Sequence, residues 1–178
     1  MRPRDVKAVL ASMTILVDTR EQDTERARRR YATFGLPVRR AVLDYGDYAV
    51  NATLPDGSMI LDETQRVHPT CAVERKMNLD ELAECFTHSR ERFTAEFERA
   101  AADGAKIWLL TESASWEALI SGRYKSRTLP KAYLGSLLAF ANRYNAQIVF
   151  CNEYSTGILI REILARDLKD RLLRGDYG

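Results

Sequence analysis

No apolar run in the sequence approaches the roughly 20 residues that a membrane-spanning helix requires. The opening stretch, MRPRDVKAVLASM, is basic, but its apolar segment is too short for a signal peptide. Net charge is only +2 over 178 residues. Global charge therefore does not announce a nucleic-acid partner, and any basic surface has to arise by local segregation. Cysteine is scarce and odd in number, three residues without dense spacing. That argues against a disulfide scaffold and suits reduced thiols in a reducing compartment. The first apolar run is followed by DTREQDTE, which has no glycine, so the phosphate-binding turn of a dinucleotide-binding protein is missing. No repeat, low-complexity tract or linker interrupts the chain. Residues 1–178 read as one domain with its core at about 14–165.

What is present alternates between strand and helix signals. TILVDTRE (14–21) is a compact apolar run ending in charge, a buried strand. DTERARRRYATFG follows as a helix with Asp23 or Thr24 as cap and Gly35 as stop. PVRRAVL (37–43) and DYAVNATL (47–54) read as strands, and PDGS turns the second into MILDET (59–64), a predicted hairpin. CAVERK (71–76) is the next strand. Asn78 then caps a long helix with an apolar stripe at Leu79, Leu82, Ala83, Phe86, Phe93, Phe97 and Ala100, ending at Gly104. KIWLLTE (106–112) is a strand, SWEALISG a short helix, and Pro130 opens another helix. AQIVFC (146–151) and a final helix capped by Ser155 complete the order β–α–β–β–β–β–α–β–α–α–β–α. The implied fold class is α/β, a central mixed β-sheet flanked by α-helices.

Charge closes several of these strands. VDTRE ends with Asp18, Arg20 and Glu21; YGDY brings Gly46 and Asp47 to a turn entering a strand; VERK ends with Glu74 and Lys76. Asp80 lies in the first turn of the following helix. Carboxylates gathered at a sheet edge repel, and each costs several kcal/mol to desolvate unless compensated. A hard divalent cation, which takes oxygen ligands, compensates directly. Alternate strand residues share a face, so Glu74 and Lys76 point together while Arg75 points away. An acid-x-lysine pair with Asp47 nearby suits metal-assisted phosphodiester hydrolysis. Asp80, at a helix amino terminus, would orient Lys76 or Arg75 or lie near the ion. The bland alternative is a set of solvated strand-end charges.

These residues resemble the nuclease domain of the XPF-type structure-specific endonucleases, relatives of the Mus-type resolvases. The family is marked by G-D, a variable gap, and E-R-K-x-x-x-D. Here that reads Gly46-Asp47, a gap, then Glu74-Arg75-Lys76-Met77-Asn78-Leu79-Asp80. VDTRE resembles the family's D-x-R-E opening at Asp18, Arg20 and Glu21, and SRERFTAEFERA its downstream helix, with Arg92 at the usual arginine and Glu96 where glutamine is common. The resemblance implies a restriction-endonuclease-like fold, Mg2+ or Mn2+ as cofactor, and DNA cleaved near branch points such as flaps or forks. It makes Asp47, Glu74 and the backbone carbonyl of Arg75 metal ligands, and Lys76 the catalytic base or charge stabiliser. Asp18, Arg20, Glu21 and Asp80 support the site. A homodimer through this domain is a further implication. The sequence departs from many relatives in carrying no paired helix-hairpin-helix motifs and no helicase, and DELAECF replaces the serine often found after the family's D-L. A stand-alone domain of this kind suits a phage or a prokaryote, acting in the cytoplasm or at the nucleoid. The competing function is a catalytically weak DNA-binding or pseudonuclease subunit of the same fold; the presence of Asp47, Glu74, Lys76 and Asp80 favours activity.

GRYKSRTLPK places Arg123, Lys125, Arg127 and Lys131 in ten residues, a loop suited to tracking phosphates, with Tyr124 placed to stack on a base. Arg26, Arg28, Arg29 and Arg30 read as a solvated helix face. Arg92, or Arg90, would reach a phosphate or pair with Glu91 or Glu96. Two Cys–His coincidences, His68 with Cys71 and Cys85 with His88, offer either a structural Zn2+ set or unrelated residues, Cys85 then being simply buried.

Overall fold

Residues 1–177, described by a computed structural model, run as α1 (Pro3–Ala11), β1 (Thr14–Asp18), α2 (Glu25–Ala32), β2 (Val38–Ala41), β3 (Tyr48–Asn51), β4 (Cys71–Lys76), α3 (Leu79–Cys85), α4 (Arg90–Ala102), β5 (Lys106–Glu112), α5 (Trp116–Ile120), α6 (Pro130–Tyr144), β6 (Gln147–Cys151) and α7 (Thr156–Arg174). The strands form one sheet in the order β2-β1-β3-β4-β5-β6. β1 is parallel to β2 and antiparallel to β3, β3 is antiparallel to β4, and β4, β5 and β6 are parallel. The mixed, helix-flanked sheet expected from the sequence is present.

Side-chain alternation divides the sheet into two buried faces. Ile15, Val17, Tyr48, Cys71, Val73 and Leu110 pack with Phe34, Ile160 and Leu164 of the α2 and α7 side. Ala72, Ile107 and Leu109 face the other way, under Leu79, Leu82, Phe93, Phe97, Leu137 and Phe140 of α3, α4 and α6. Helix α1, unanticipated in the sequence, is opened by Pro3 and docks Val6 and Val9 against Leu168 and Leu172 of α7.

Two further elements differ from expectation. MILDET is not a strand: it keeps one isolated bridge, Thr53 to Met59. The cause is Asn51, whose Oδ1 accepts the N–H of Leu61 and of Ala52 at 2.9 Å each, while Nδ2 donates to the Leu61 carbonyl at 2.9 Å. A side chain thereby replaces the ladder. The long helix from Asn78 is broken into α3 and α4 at residues 86–89. Thr87 Oγ1 bonds back to the Ala83 carbonyl at 3.2 Å, and the Ser89 N–H reaches Glu84 O at 3.0 Å, widening the turn. The apolar stripe survives the break, since both halves still need to cover the same sheet face.

Candidate active site

Register brings the acids together. Tyr48 of β3 lies opposite Val73 of β4 in an antiparallel pair, so Asp47 and Glu74, one step along each strand, are neighbours on one face. The Asp47 N–H donates to Val73 O at 2.9 Å, and Asp47 Oδ2 accepts the Arg75 N–H at 2.8 Å. Lys76, two residues on from Glu74 and on the same face, donates directly to Glu74 Oε1. Its Nζ stands 5.4 Å from the centre of the Phe93 ring, an arrangement favourable to a cation. Glu74 and Lys76 are both buried.

The turn before Asp47 depends on Gly46. Its φ is +75°, and a Cβ there would come within 2.7 Å of the Ala72 Cβ, so both backbone freedom and close approach to β4 demand glycine. The Gly46 N–H is held by Glu96 Oε1 of α4 at 2.7 Å. Glu96 is thus part of the site, and it leaves Arg90 and Arg92 exposed and without an ion pair among the described residues.

The electrostatics follow from burial. Desolvation pushes the Asp47 carboxyl up, and the neighbouring Glu74 charge pushes it further. Glu74 is also raised, chiefly by desolvation, with Lys76 opposing and Glu96 adding to the shift. Burial works against the Lys76 ammonium, but Glu74 and Asp47 outweigh it and hold the amine above its ordinary value. Lys76 offsets part of the repulsion between these two carboxyl groups, and a bound cation would offset the rest. As a donor set, two hard oxygens side by side fit Mg2+ or Mn2+.

Beneath the sheet, Arg75 points away from Lys76, as strand alternation requires. Arg75 Nη2 is 3.3 Å from Glu21 Oε1, and Nη1 is 3.3 Å from Glu112 Oε2. Arg30 joins the same acids, at 2.7 Å to Glu21 and 3.2 Å to Glu112, and its Nε donates to Tyr48 Oη at 3.0 Å. Arg26 reaches Glu112 at 2.5 Å. Helix α2 is the solvated basic face its sequence suggested at Arg28 and Arg29, which are exposed, but not at Arg30, which is only 6% exposed because buried Glu112 and half-buried Glu21 need its charge. Asp18, fully buried, accepts Arg20 N–H and Nε–H at 2.7 and 2.6 Å and the Leu43 N–H at 2.9 Å. Those bonds tie β1 to the turn before Gly46 and occupy both oxygens. Asp18 and Arg20 are thus bonded to each other, and Glu21 pairs with Arg30 and Arg75 on the far face of β4.

Asp80 contacts neither Lys76 nor Arg75. Its Oδ1 accepts the N–H groups of Lys125 and Ser126 at 2.6 and 2.7 Å. Arg123, Lys125, Arg127 and Lys131 are exposed. Tyr124 is half-buried: its ring packs edge-on against Tyr133 at 5.4 Å and its hydroxyl donates to Thr128 O at 2.8 Å. The four-residue zinc set does not assemble. Cys71 belongs to the α2–α7 face and Cys85 to the α3–α6 face, so the sheet separates them, while His68 Nδ1 pairs with Asp103 at 2.7 Å. Asp44, His68 and Asp103 do approach within 4.8 Å of one another, but Asp44 is already balanced by Arg99 at 2.9 Å and Arg66 at 3.3 Å.

Glu112 was not singled out in the sequence, and Glu96 only as the residue where the family commonly has glutamine and as a partner for Arg92 or Arg90. Glu112 closes the apolar run KIWLLTE as Asp18 closes TILVD and Glu74 follows CAV; the same signature, charge at a strand's end, would have found it. Glu96 carried a fainter signal, one acid beside the apolar stripe of α4.

The ERCC4 domain family model matches residues 17–160. No curated protein matches the sequence. Among solved structures, XPF from Aeropyrum pernix aligns with TM-score 0.58 at 17% identity over 86% of this chain and 61% of its own. XPF from Aeropyrum pernix in complex with DNA aligns with TM-score 0.59 at 18% identity over 89% of this chain and 66% of its own. The chain thus spans about two thirds of the matched structures, with the same fold.

Proposed function

Because this chain belongs to the ERCC4 domain family, we propose that it is a divalent-metal-dependent DNA endonuclease acting on branched, flap or fork DNA. The observation that carries the reading is the placement of Asp47, Glu74 and Lys76 on one face of adjoining strands, with Lys76 bound to Glu74. Mg2+ or Mn2+, held by Asp47, Glu74 and the carbonyl of Arg75, would polarise the scissile phosphate and lower the pKa of a water.

The chain's own residues supply the rest. Lys76, held by Glu74 and flanked by Asp47, is placed to stabilise charge developing on the phosphate or to act as the catalytic base. The Arg75 N–H orients Asp47, and Glu96 fixes the glycine turn that delivers Asp47 to the strand. Arg75, Arg30, Glu21 and Glu112 hold the far side of β4 rigid, so the near side keeps its geometry. Arg92 and the cations of residues 123–131 contact backbone phosphates, positioning DNA without reading its sequence.

Fork, flap, Holliday-junction and linear DNA, each incubated with Mg2+, Mn2+ or EDTA, test the proposal. Cleavage of branched substrates that requires the ion supports it. Full activity in chelator would refute the metal assignment, and absence of cleavage with intact DNA binding would favour the pseudonuclease reading.

A further inference from the structure

Two distant segments converge on the start of α3. Tyr133 Oη of α6 donates to the Leu79 carbonyl at 2.7 Å. One residue later, Asp80 Oδ1 takes both the Lys125 and Ser126 N–H groups, at 2.6 and 2.7 Å. The loop so gripped, 121–129, has no helix or strand of its own. Inside it, Ser126 Oγ and Thr128 Oγ1 lie 3.0 Å apart and Tyr124 is fastened to Thr128 O and Tyr133, so its shape is set locally and its place is set by Asp80. Its cationic side chains are exposed, and none lies within ion-pairing distance of a carboxylate among the described residues. Only Met77 and Asn78 separate α3 from Lys76. The loop is therefore tethered to the end of the strand that carries Glu74 and Lys76.

We infer that Asp80 is a positioning residue for a phosphate-binding loop, holding residues 123–127 beside the end of the strand that carries Glu74 and Lys76, and that it thereby contributes to DNA affinity. The inference rests on the nuclease reading of the site. Its physical basis is the pair of charge-assisted bonds to backbone N–H groups. Without them the loop is loose before binding and must be ordered by the DNA, which weakens affinity. What the loop needs from residue 80 is an acceptor oxygen; an ion at the site would need its charge.

The test compares Asp80→Ala with Asp80→Asn, whose amide oxygen can accept the same two bonds. Three quantities are read: Kd for branched DNA, single-turnover kcat at saturating DNA, and hydrogen exchange at the Lys125 and Ser126 amides. The inference expects Asp80→Ala to raise Kd about tenfold and to speed that exchange. Asp80→Asn should stay within about twofold of wild type in Kd and in exchange. An Asp80→Asn variant as inactive as Asp80→Ala, with kcat lost and Kd unchanged, would overturn it. So would unchanged exchange in Asp80→Ala. If the wild type cuts no DNA the nuclease reading fails separately, and exchange with DNA affinity still decides the tether.

Discussion

Replacing Glu112 with glutamine removes one charge from the network under β4 while keeping its shape. Glu112 is fully buried, and it faces Arg26, Arg30 and Arg75, whose side chains are 30%, 5% and 13% exposed. Glu21 is then the one acid left to Arg30 and Arg75. Breaking a buried pair by removing one partner costs about 3–5 kcal/mol, because the surviving charge stays desolvated. A glutamine oxygen can still accept from one guanidinium, which places the expected loss near the lower end. Against a total stability of roughly 5–15 kcal/mol, that is a large fraction. With a urea slope of about 2 kcal/mol per molar, the unfolding midpoint should fall by about 1.5 M. A double-mutant cycle with Arg30→Met should show coupling above about 1 kcal/mol, since the two residues share one network. A midpoint shift under about 0.3 M, or additive single changes, would show that the network is not the support assigned to it.

Other consequences are equally open to measurement. Gly46→Ala should destabilise by about 2–4 kcal/mol in a denaturant titration, combining the positive-φ penalty with overpacking against Ala72. Asp47→Asn should stabilise the metal-free chain at alkaline pH and not near pH 4. The folded-state pKa of Asp47 is raised, so its ionisation penalises the fold above that value and vanishes below the unfolded one; Tm in EDTA across pH 4–9 reads this directly. Lys125→Ala with Arg127→Ala should lower the slope of log K against log salt by about 2 for DNA binding, near 0.9 for each lost phosphate contact.

The sheet was legible because its strands are short apolar runs stopped by charge, and the same punctuation exposed Asp47, Glu74 and Lys76. Strand alternation sufficed to separate Lys76 from Arg75. The polar exceptions were harder to read. Asn51 cancelled a strand by satisfying backbone groups with its side chain, and Thr87 with Ser89 broke a helix whose apolar stripe never faltered. Arginine spacing on α2 could not show that Arg30 pairs with Glu21 and Glu112, acids contributed by other segments. Asp80 sits where a helix amino terminus and a nearby ion were both plausible neighbours; its partners lie 45 and 46 residues away, beyond what local pattern encodes.

The central claim is that Asp47 and Glu74 share one cation. Calorimetric titration of Mn2+ into wild type, Asp47→Asn and Glu74→Gln tests it most directly. The account predicts one site in the wild type that either single change abolishes or weakens at least tenfold. Wild-type affinity in both variants, or a site lost on Asp44→Asn instead, would contradict it.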